Sequence, residues 1–476
     1  MSTTHCGYIV KVKELRPHRN ADKLQIAKFF DCETCVSLGV KLGDIGIYFP
    51  SGLQLSEEFC IQNNLVRRKD ETGKNIGGYL EPDKRNIKTI RLRGEPSDGI
   101  FMALDSVAYT GVDMSLLTEG AVIHDLNGHE ICDKYIPKVK AHNEFNSPNR
   151  TRKNKPKNIP IAPLFNEHAD TEQLVYNLKA FHGGDFIEIT LKMHGTSQRT
   201  GYLPVFKGMK RTFWDKLFRR PGKPIYDWGY VTGTRRTVLD NFDGGFYGSN
   251  EFREPHAKFF EGKLHKGEEV FYEVVGFTTS GAPIMGSVSN KKLNDKEFER
   301  QYGPTTIFSY GCEPTGQREK FYRDEISMFS IPEPAPQSDF YVYRMTMTNE
   351  DGDVVEYTPD YMRYRCEQMG CKTVPVFAQL RIPDSNDCNT LYLNSEGVID
   401  YVTKTPGEWV MEAAETYYDG PDPIGKTHVR EGVVVRIVNR PSFTAYKHKN
   451  FAFKCLSGII TEEAADVADA DIASEM

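Results

Sequence analysis

The chain has 476 residues, of which 39% are hydrophobic, 12% aromatic and 26% charged, with a formal net charge of −6. This is the composition of a soluble globular protein of two or three domains. It excludes a bilayer-spanning helix, since no apolar run approaches roughly 20 residues, and the acidic balance gives the molecule as a whole no electrostatic preference for nucleic acid. The start, Met1-Ser-Thr-Thr-His-Cys6, lacks the basic and apolar regions of a secretory signal, so a cytoplasmic protein with reduced thiols is expected. Among its ten cysteines, Cys32-x-x-Cys35 is the one close pair, with Cys366 and Cys371 next. A structural zinc site takes two matched pairs, so packing is the expected role.

In chain order, short strands are expected at Tyr8–Lys13, Leu24–Phe30, Cys35–Val40, Ile45–Phe49, Asn86–Leu92 and Ile100–Leu104, punctuated by Gly, Asn and Asp. Their spacing predicts a small barrel. The segment Arg16-Pro-His-Arg-Asn-Ala-Asp-Lys-Leu24 resembles a stretch found in OB-type barrels of tRNA-binding and ligase proteins, which implies contact with nucleic acid through one face and its loops. Residues 136–163 are rich in Lys, Asn, Arg and Pro without periodicity, a basic linker that includes Arg150, Arg152, Lys153, Lys155 and Lys157. Asp170–Ala180 has the apolar spacing of a short helix.

The stretch Ile187–Ser197 follows. Ile187, Ile189 and Leu191 alternate, so Glu188, Thr190 and Lys192 share the opposite face of a half-buried strand. The strand ends in a polar turn, His194-Gly195-Thr196, which brings Lys192 to the lip of a cleft beside a glycine that lets another group approach closely. Residues 203–228 read as an insertion: Phe213, Trp214, Leu217 and Phe218 have helical spacing, and residues 207–223 carry seven basic side chains against Asp215 alone. A basic amphipathic helix of this kind covers a groove, touches RNA or meets a membrane surface. Ser330–Ser338 reads as a rigid proline-rich loop, and residues 461–476, with six acids and no base, as an acidic tail.

One motif matches letter for letter and fails on chemistry. Gly420-Pro-Asp-Pro-Ile-Gly-Lys-Thr427 fits the phosphate-loop pattern. That loop works by aiming successive backbone N–H groups at phosphate oxygens between a strand and a helix. Pro421 and Pro423 remove two of those donors. The flanking order is also inverted, with a helical pattern over Glu408–Thr416 before the loop and a strand pattern over Val429–Val438 after it.

The other charged positions lie at strands or their ends: Arg235 and Arg236 after Val231-Thr-Gly-Thr, Glu273 within Val270–Gly276, Tyr341 and Tyr343 in an alternating aromatic strand, Glu431 heading Gly-Val-Val-Val-Arg436, and Lys447 and Lys449 in alternation. A charge in a buried strand costs several kcal/mol unless paired or functional, so together they predict one polar cleft floored by sheets. In this order Lys192-Met-His-Gly, Gly233-Thr-Arg-Arg, Tyr272-Glu-Val-Val-Gly, Tyr341-Val-Tyr-Arg, Glu431-Gly-Val-Val and Lys447-His-Lys-Asn resemble motifs I, Ia, III, IIIa, IV and V of the covalent nucleotidyltransferases. Lys-x-His-Gly-Thr and an OB-like module at the N-terminus are closest to ATP-dependent RNA ligases of the clade with an N-terminal OB domain. The chain ends soon after the last motif, so no folded domain is expected to follow it.

The resemblance implies an α+β fold with an OB-type β-barrel at 1–135, the linker at 136–163, a nucleotidyltransferase domain of antiparallel sheets with flanking helices at 164–460 and the tail at 461–476. It implies ATP and Mg²⁺ or Mn²⁺ as cofactors and RNA ends, 5′-phosphate and 3′-OH, as partners. Lys192 would attack the α-phosphorus and form lysyl-AMP; AMP would pass to an RNA 5′-phosphate; the 3′-OH would then displace it, in nick or break repair. Glu431 and Glu273 would hold the metal, Gly195, Arg235 or Arg236 and Glu273 would lie near the nucleotide, and Tyr341 or Tyr343 would stack on adenine, strand register deciding each pair. Lys447 and Lys449 would neutralise the phosphates, with Lys454 a second candidate. A free lysine has a pKa near ~10.4 and is under roughly 1% neutral at pH 7; a shift of about 3 units requires roughly 4 kcal/mol, which nearby cations supply. Three alternatives share parts of this pattern: a capping-type guanylyltransferase, a non-catalytic RNA-binding protein on a ligase scaffold, and a tRNA-binding module fused to an unrelated enzyme.

Overall fold

The computed structural model describes residues 5–68, 71–72, 77–135, 159–168, 171–213, 217–218, 222–235, 237–239, 242, 250–323, 328–384, 388–393 and 399–463. The basic linker up to residue 158 and the acidic tail from residue 464 therefore lie outside the described residues. No described helix is long and apolar enough to cross a membrane.

The first 135 residues build several small antiparallel ladders. A four-stranded sheet runs in the order Val122–Ile123, Gly7–Lys11, Ile45–Phe49, Ile100–Ala103, and a three-stranded one joins Leu15–Pro17, Leu24–Phe29 and Cys32–Ser37. The near-continuous apolar runs of the central strands have a physical reason: both faces are covered. Ile9, Ile47 and Phe49 pack with Leu55 and Phe59 on one side, while Tyr8, Val10 and Tyr48 pack with Phe29 and Val36 on the other. Among the described residues no sheet closes on itself, so the expected barrel is not seen as a closed ladder. The strands are short, and Leu15–Pro17 ends in a residue without an N–H to extend its pairing. The strand expected at Cys35–Val40 begins instead at Cys32, because Phe30 takes a positive φ of 54° in a tight hairpin turn.

The remainder is a mixed α+β body on two five-stranded sheets. The first is ordered Glu172–Gln173, Thr444–Lys449, Gly432–Ile437, Phe186–Lys192, Val376–Arg381; the second Lys223–Gly233, Thr196–Lys210, Glu268–Gly276, Ser338–Thr348, Val354–Glu356. The chain steps from one to the other across Met193-His194-Gly195. Helix Pro406–Glu415 starts in a Thr405/Glu408 capping box and covers the back of the first sheet, where Val410, Met411 and Ala414 meet Ile187, Ile189, Val433 and Val435. That leaves Glu188, Thr190 and Lys192 on the open face.

Three expected elements differ. Asp170–Ala180 is not a helix: its described part is a two-residue strand paired with Tyr446–Lys447, then two 3₁₀ turns separated by Asn177. Residues 203–228 are chiefly the outer part of the hairpin Thr196–Lys210/Lys223–Gly233, with Leu203 and Val205 packed against Phe165; at its tip Phe213 and Leu217 are helical, as the spacing predicts, and Trp214 lies outside the described residues. Of Ser330–Ser338, read as a loop, the first half belongs to the strand Met328–Pro334 of a two-stranded ladder, where proline is tolerated because an edge requires fewer N–H donors.

Candidate active site

Three strands bring the charged residues together. Lys192 stands opposite Gly432, and Gly432 opposite Lys449, so both lysines project from the same face of the first sheet. Gly432 has φ +147°, and a Cβ there would overlap the His448 carbonyl, so only glycine fits. Gly195 has a different reason: a Cβ would run into the Val274 carbonyl and the Glu273 side chain. The turn after Lys192 thus presses against the second sheet and closes one end of the space between them.

Glu431 is the hub. It is 2% exposed; its Oε1 lies 2.8 Å from Lys192 Nζ and 3.1 Å from Lys449 Nζ, and its Oε2 lies 3.6 Å from His194 Nδ1. The Asn450 N–H donates to the Glu431 carbonyl at 2.8 Å, fixing the backbone below it. Burial disfavours the carboxylate, but the two lysines outweigh burial and hold its pKa well below the usual range. His194 is buried edge-to-face between Phe308 and Phe453 at 4.6 and 4.7 Å, and burial lowers its proton affinity despite Glu431. It is therefore a neutral ring at neutral pH.

The pocket between the sheets is lined by Glu188, Thr190 and Lys192 from one side and by Glu273, Tyr343 and Arg235 from the other. Of the two candidate tyrosines, Tyr341 pairs opposite Glu273 but is only 5% exposed within the main core. A register shift between Phe271 and Tyr272 leaves Tyr343 as the extra residue of a bulge, and its hydroxyl lies 3.1 Å from Ser197 Oγ. Burial pushes that phenol up to about 12, with Glu273 adding to the effect. Arg235 reaches the pocket; Arg236 lies outside the described residues. Residues not singled out from the sequence complete the wall. Arg363, on helix Pro359–Met369, binds Glu188 at 2.7 Å, and Phe443 and His168 lie nearby. The alternation that put Glu188 beside Lys192 was the available signal for the first; the others arrive through tertiary packing alone.

No family model matches the sequence, and no curated protein does either. Among solved structures the chain is similar to the Naegleria gruberi RNA ligase with PPi, at 15% identity and a TM-score of 0.51, over 96% of this chain and 98% of that one. A mutant of the same ligase with ATP and Mn gives a TM-score of 0.50 at 15% identity, over 94% and 98% of the two chains. The fold is that of an RNA ligase.

Within this ligase fold the remaining candidates separate. Lys447 lines a second cleft between the N-terminal ladders and the sheets, together with Lys449, Arg235, Lys88 and Lys134. Lys454 sits on helix Phe451–Glu463 and is tied to Asp98 of the N-terminal region at 2.8 Å, so its partner is that carboxylate and not Glu431. The Gly420–Thr427 loop is closed on itself. The fully buried Asp422 carboxylate accepts the N–H groups of Ile424, Gly425 and Lys426 at 2.7–2.9 Å. The donors that a phosphate would require are engaged by a side chain of the loop.

Proposed function

We propose that the chain is an ATP-dependent RNA ligase that joins 5′-phosphate and 3′-OH ends through lysyl-AMP and RNA-adenylate. The observation that carries this reading is the convergence of Lys192 and Lys449 on one oxygen of the buried Glu431, beside a pocket with an aromatic and an arginine, in an RNA ligase fold. Both ammonium groups rest on one oxygen, so the nucleophile and a cation able to meet the α-phosphate are held side by side. Lys192 Nζ attacks the α-phosphorus of ATP, the bond from that phosphorus to the bridging oxygen breaks, and pyrophosphate leaves with the electron pair. In the second step an oxygen of the RNA 5′-phosphate displaces Lys192 from the AMP phosphorus; in the third the 3′-OH attacks the RNA phosphorus and AMP leaves. Lys449 and Lys447 neutralise phosphate charge, Arg235 and Glu273 hold the nucleotide, and Tyr343 offers its ring to the base.

The donors fit a hard divalent ion. Glu431 Oε2 is buried without a hydrogen-bond partner, and Glu273 lies just across Gly195. Among the described residues no group of three or more His, Cys, Asp or Glu gathers around a metal position, so these two carboxylates would hold Mg²⁺ or Mn²⁺ with most of its shell left to water and phosphate, the habit of such ions. Bound there, the ion supplies positive charge beside the α-phosphate.

We read residues 1–135 as an OB-type nucleic-acid-binding module and the cleft shared by Lys88, Lys134 and Lys447 as the path of the RNA ends; residues 164–460 are the nucleotidyltransferase domain. Incubation with α-labelled ATP and Mg²⁺ or Mn²⁺ is expected to label the protein covalently, with GTP inactive, and the labelled protein to seal nicks whose 3′ side is RNA. Label from GTP alone points to capping chemistry, and RNA binding without any adduct to a non-catalytic scaffold.

A further inference from the structure

The two close cysteine pairs of the sequence meet opposite fates. Cys32 and Cys35 are three apart in one strand, so their side chains leave on opposite faces. Cys366 and Cys371 are five apart and meet. Helix Pro359–Met369 ends at Gly370, which takes φ +73°. The Gly370 N–H donates to the Glu367 carbonyl at 3.1 Å, and the Cys371 N–H donates to the Cys366 carbonyl at 2.9 Å. That bond pair is a Schellman cap, in which the side chains of the first and sixth residues touch. Those two positions are usually apolar; here both are thiols. The 2.9 Å bond also keeps the two Cα atoms within about 7 Å, the reach of a disulfide. The Cys371 thiol donates back to the Cys366 carbonyl at 3.6 Å, and the Cys366 thiol donates to the Cys371 sulfur.

The two thiols are not equivalent. Cys366 is buried and Cys371 is partly exposed. Lys263 Nζ donates to the Met369 carbonyl at 3.1 Å, so an ammonium stands at the helix end near Cys371. The hydrogen bond from Cys366, with Lys263 adding to it against burial, lowers the Cys371 thiol below its ordinary value, while Cys366 is raised. An accessible thiol of lowered pKa with a second thiol in contact is the arrangement that oxidants convert reversibly. The turn also occupies a mechanical joint. The helix before it carries Arg363, bound to Glu188 on the pocket wall. Just after it, the Lys372 and Pro375 carbonyls accept the N–H groups of Val342 and Leu191 at 2.9 Å each, neighbours of Tyr343 and Lys192.

We propose that Cys371 and Cys366 are a reversible dithiol–disulfide pair, Cys371 the attacking thiol and Cys366 the resolving one, with a hydroperoxide as oxidant. The Cys371 sulfur takes one peroxide oxygen, the O–O bond breaks, and water leaves when the oxidant is hydrogen peroxide. The Cys366 sulfur then attacks the Cys371 sulfenic acid. The S–S bond forms, the S–O bond breaks, and a second water leaves with the Cys366 proton. The two thiols lose two electrons and the peroxide gains them; an external dithiol reverses the change by exchange. Neither step uses the ATP pocket, so failure of the ligase reading leaves the pair as it is. Trypsin cuts after Arg365 and Lys372, so both thiols fall in one peptide, Cys366–Lys372. The test treats the folded full-length protein with hydrogen peroxide, alkylates it in denaturant and counts alkyl groups on that peptide by mass spectrometry. Both sites are expected to disappear together, at least about fivefold faster than the partly exposed Cys35, and dithiothreitol should restore both. In Cys366→Ser, Cys371 should be trapped by dimedone as sulfenic acid and then pass to a form that dithiothreitol does not recover. In Cys371→Ser, Cys366 should stay alkylatable at the same dose, and this change at a partly exposed position decides the matter even where Cys366→Ser does not fold. Circular dichroism checks the fold of each. A parent that keeps both thiols after Cys35 is oxidised overturns the proposal. So does loss of Cys371 without Cys366, or a Cys371→Ser protein whose Cys366 is oxidised at the parent's rate.

Discussion

Two stretches of this chain pair a lysine with glycines near a phosphate-like motif, and the structure treats them in opposite ways. Gly420–Thr427 has the better letters. Its N–H groups turn inward onto Asp422, and Lys426 adopts φ +57° in a tight loop. Lys192-x-x-Gly195 has only two fixed positions. Its lysine is 22% exposed, its counter-ion is almost fully buried and shared with a second lysine, and a pocket opens beside it. The difference lies in what each motif leaves free. A phosphate site needs donors that are held in place and still lack a partner, and a pattern of residue types does not record whether the loop has already satisfied its own donors.

The comparison breaks most sharply at the nucleophile. Lys192→Ala is expected to abolish covalent label from α-labelled ATP, with the fold intact by circular dichroism. A labelled Lys192→Ala protein would move the nucleophile elsewhere. The next largest effect belongs to the other stretch and is an effect on stability. Asp422→Ala strands three N–H donors in a buried loop, and hydrogen bonds to a charged group contribute about 1.5–3 kcal/mol each before solvent takes over some of the donors. A loss of about 3 kcal/mol in urea unfolding is expected, while protein that remains folded forms lysyl-AMP normally.

What the sequence made legible follows the same divide. Period-2 alternation put Glu188, Thr190 and Lys192 on one face, and Lys447 and Lys449 on one face, because local backbone geometry alone dictates it. The two prolines marked the Gly420 loop as chemically unfit. Tyr343 against Tyr341 was not legible: a bulge opposite Phe271 and Tyr272 decides it, and bulges depend on the partner strand. Nor was the contact of His194 with Glu431, which joins residues far apart in the chain across two strands. The helical spacing around Phe213, by contrast, was legible too: Phe213 and Leu217 are helical at the tip of the hairpin. Barrel closure at the N-terminus rests on long-range pairing that short strands do not encode.

A third lysine tests whether burial beside a carboxylate is enough to make a site. Lys454 binds Asp98 at 2.8 Å, and the Thr89 hydroxyl donates to the same carboxylate at 2.7 Å. Burial would raise the Asp98 pKa, but Lys454 and the hydrogen bonds outweigh it and hold it down at about 2. A carboxyl depressed from 3.8 to about 2 contributes about 2 kcal/mol of stability above its unfolded pKa, and this contribution is lost as pH falls from about 4 towards 2. Lys454→Met should therefore cost about 2 kcal/mol at pH 7, with the gap to the parent narrowing below pH 4. Urea midpoints between pH 2 and 7 measure this. A gap that stays constant down to pH 2 would show that Lys454 acts by packing and not by charge. Adenylation should persist in the variant, because Lys454 does not reach Glu431.

The smallest expected effect is the most discriminating for the comparison. Lys426→Ala removes the one residue that a phosphate loop could not lose, the lysine that reaches the β- and γ-phosphates. Here the backbone N–H of Lys426 donates to Asp422 at 2.7 Å, and that bond survives any side-chain truncation. Alanine at φ +57° is no more strained than lysine, since both carry a Cβ. The variant should therefore keep its stability within about 0.5 kcal/mol, the usual range for a surface change, and its rate of lysyl-AMP formation and apparent KM for ATP should match the parent. A rise in KM of tenfold or more would place a phosphate at the Gly420 loop after all. It would also mean that the loop opens on binding and that Asp422 releases its three donors to the nucleotide.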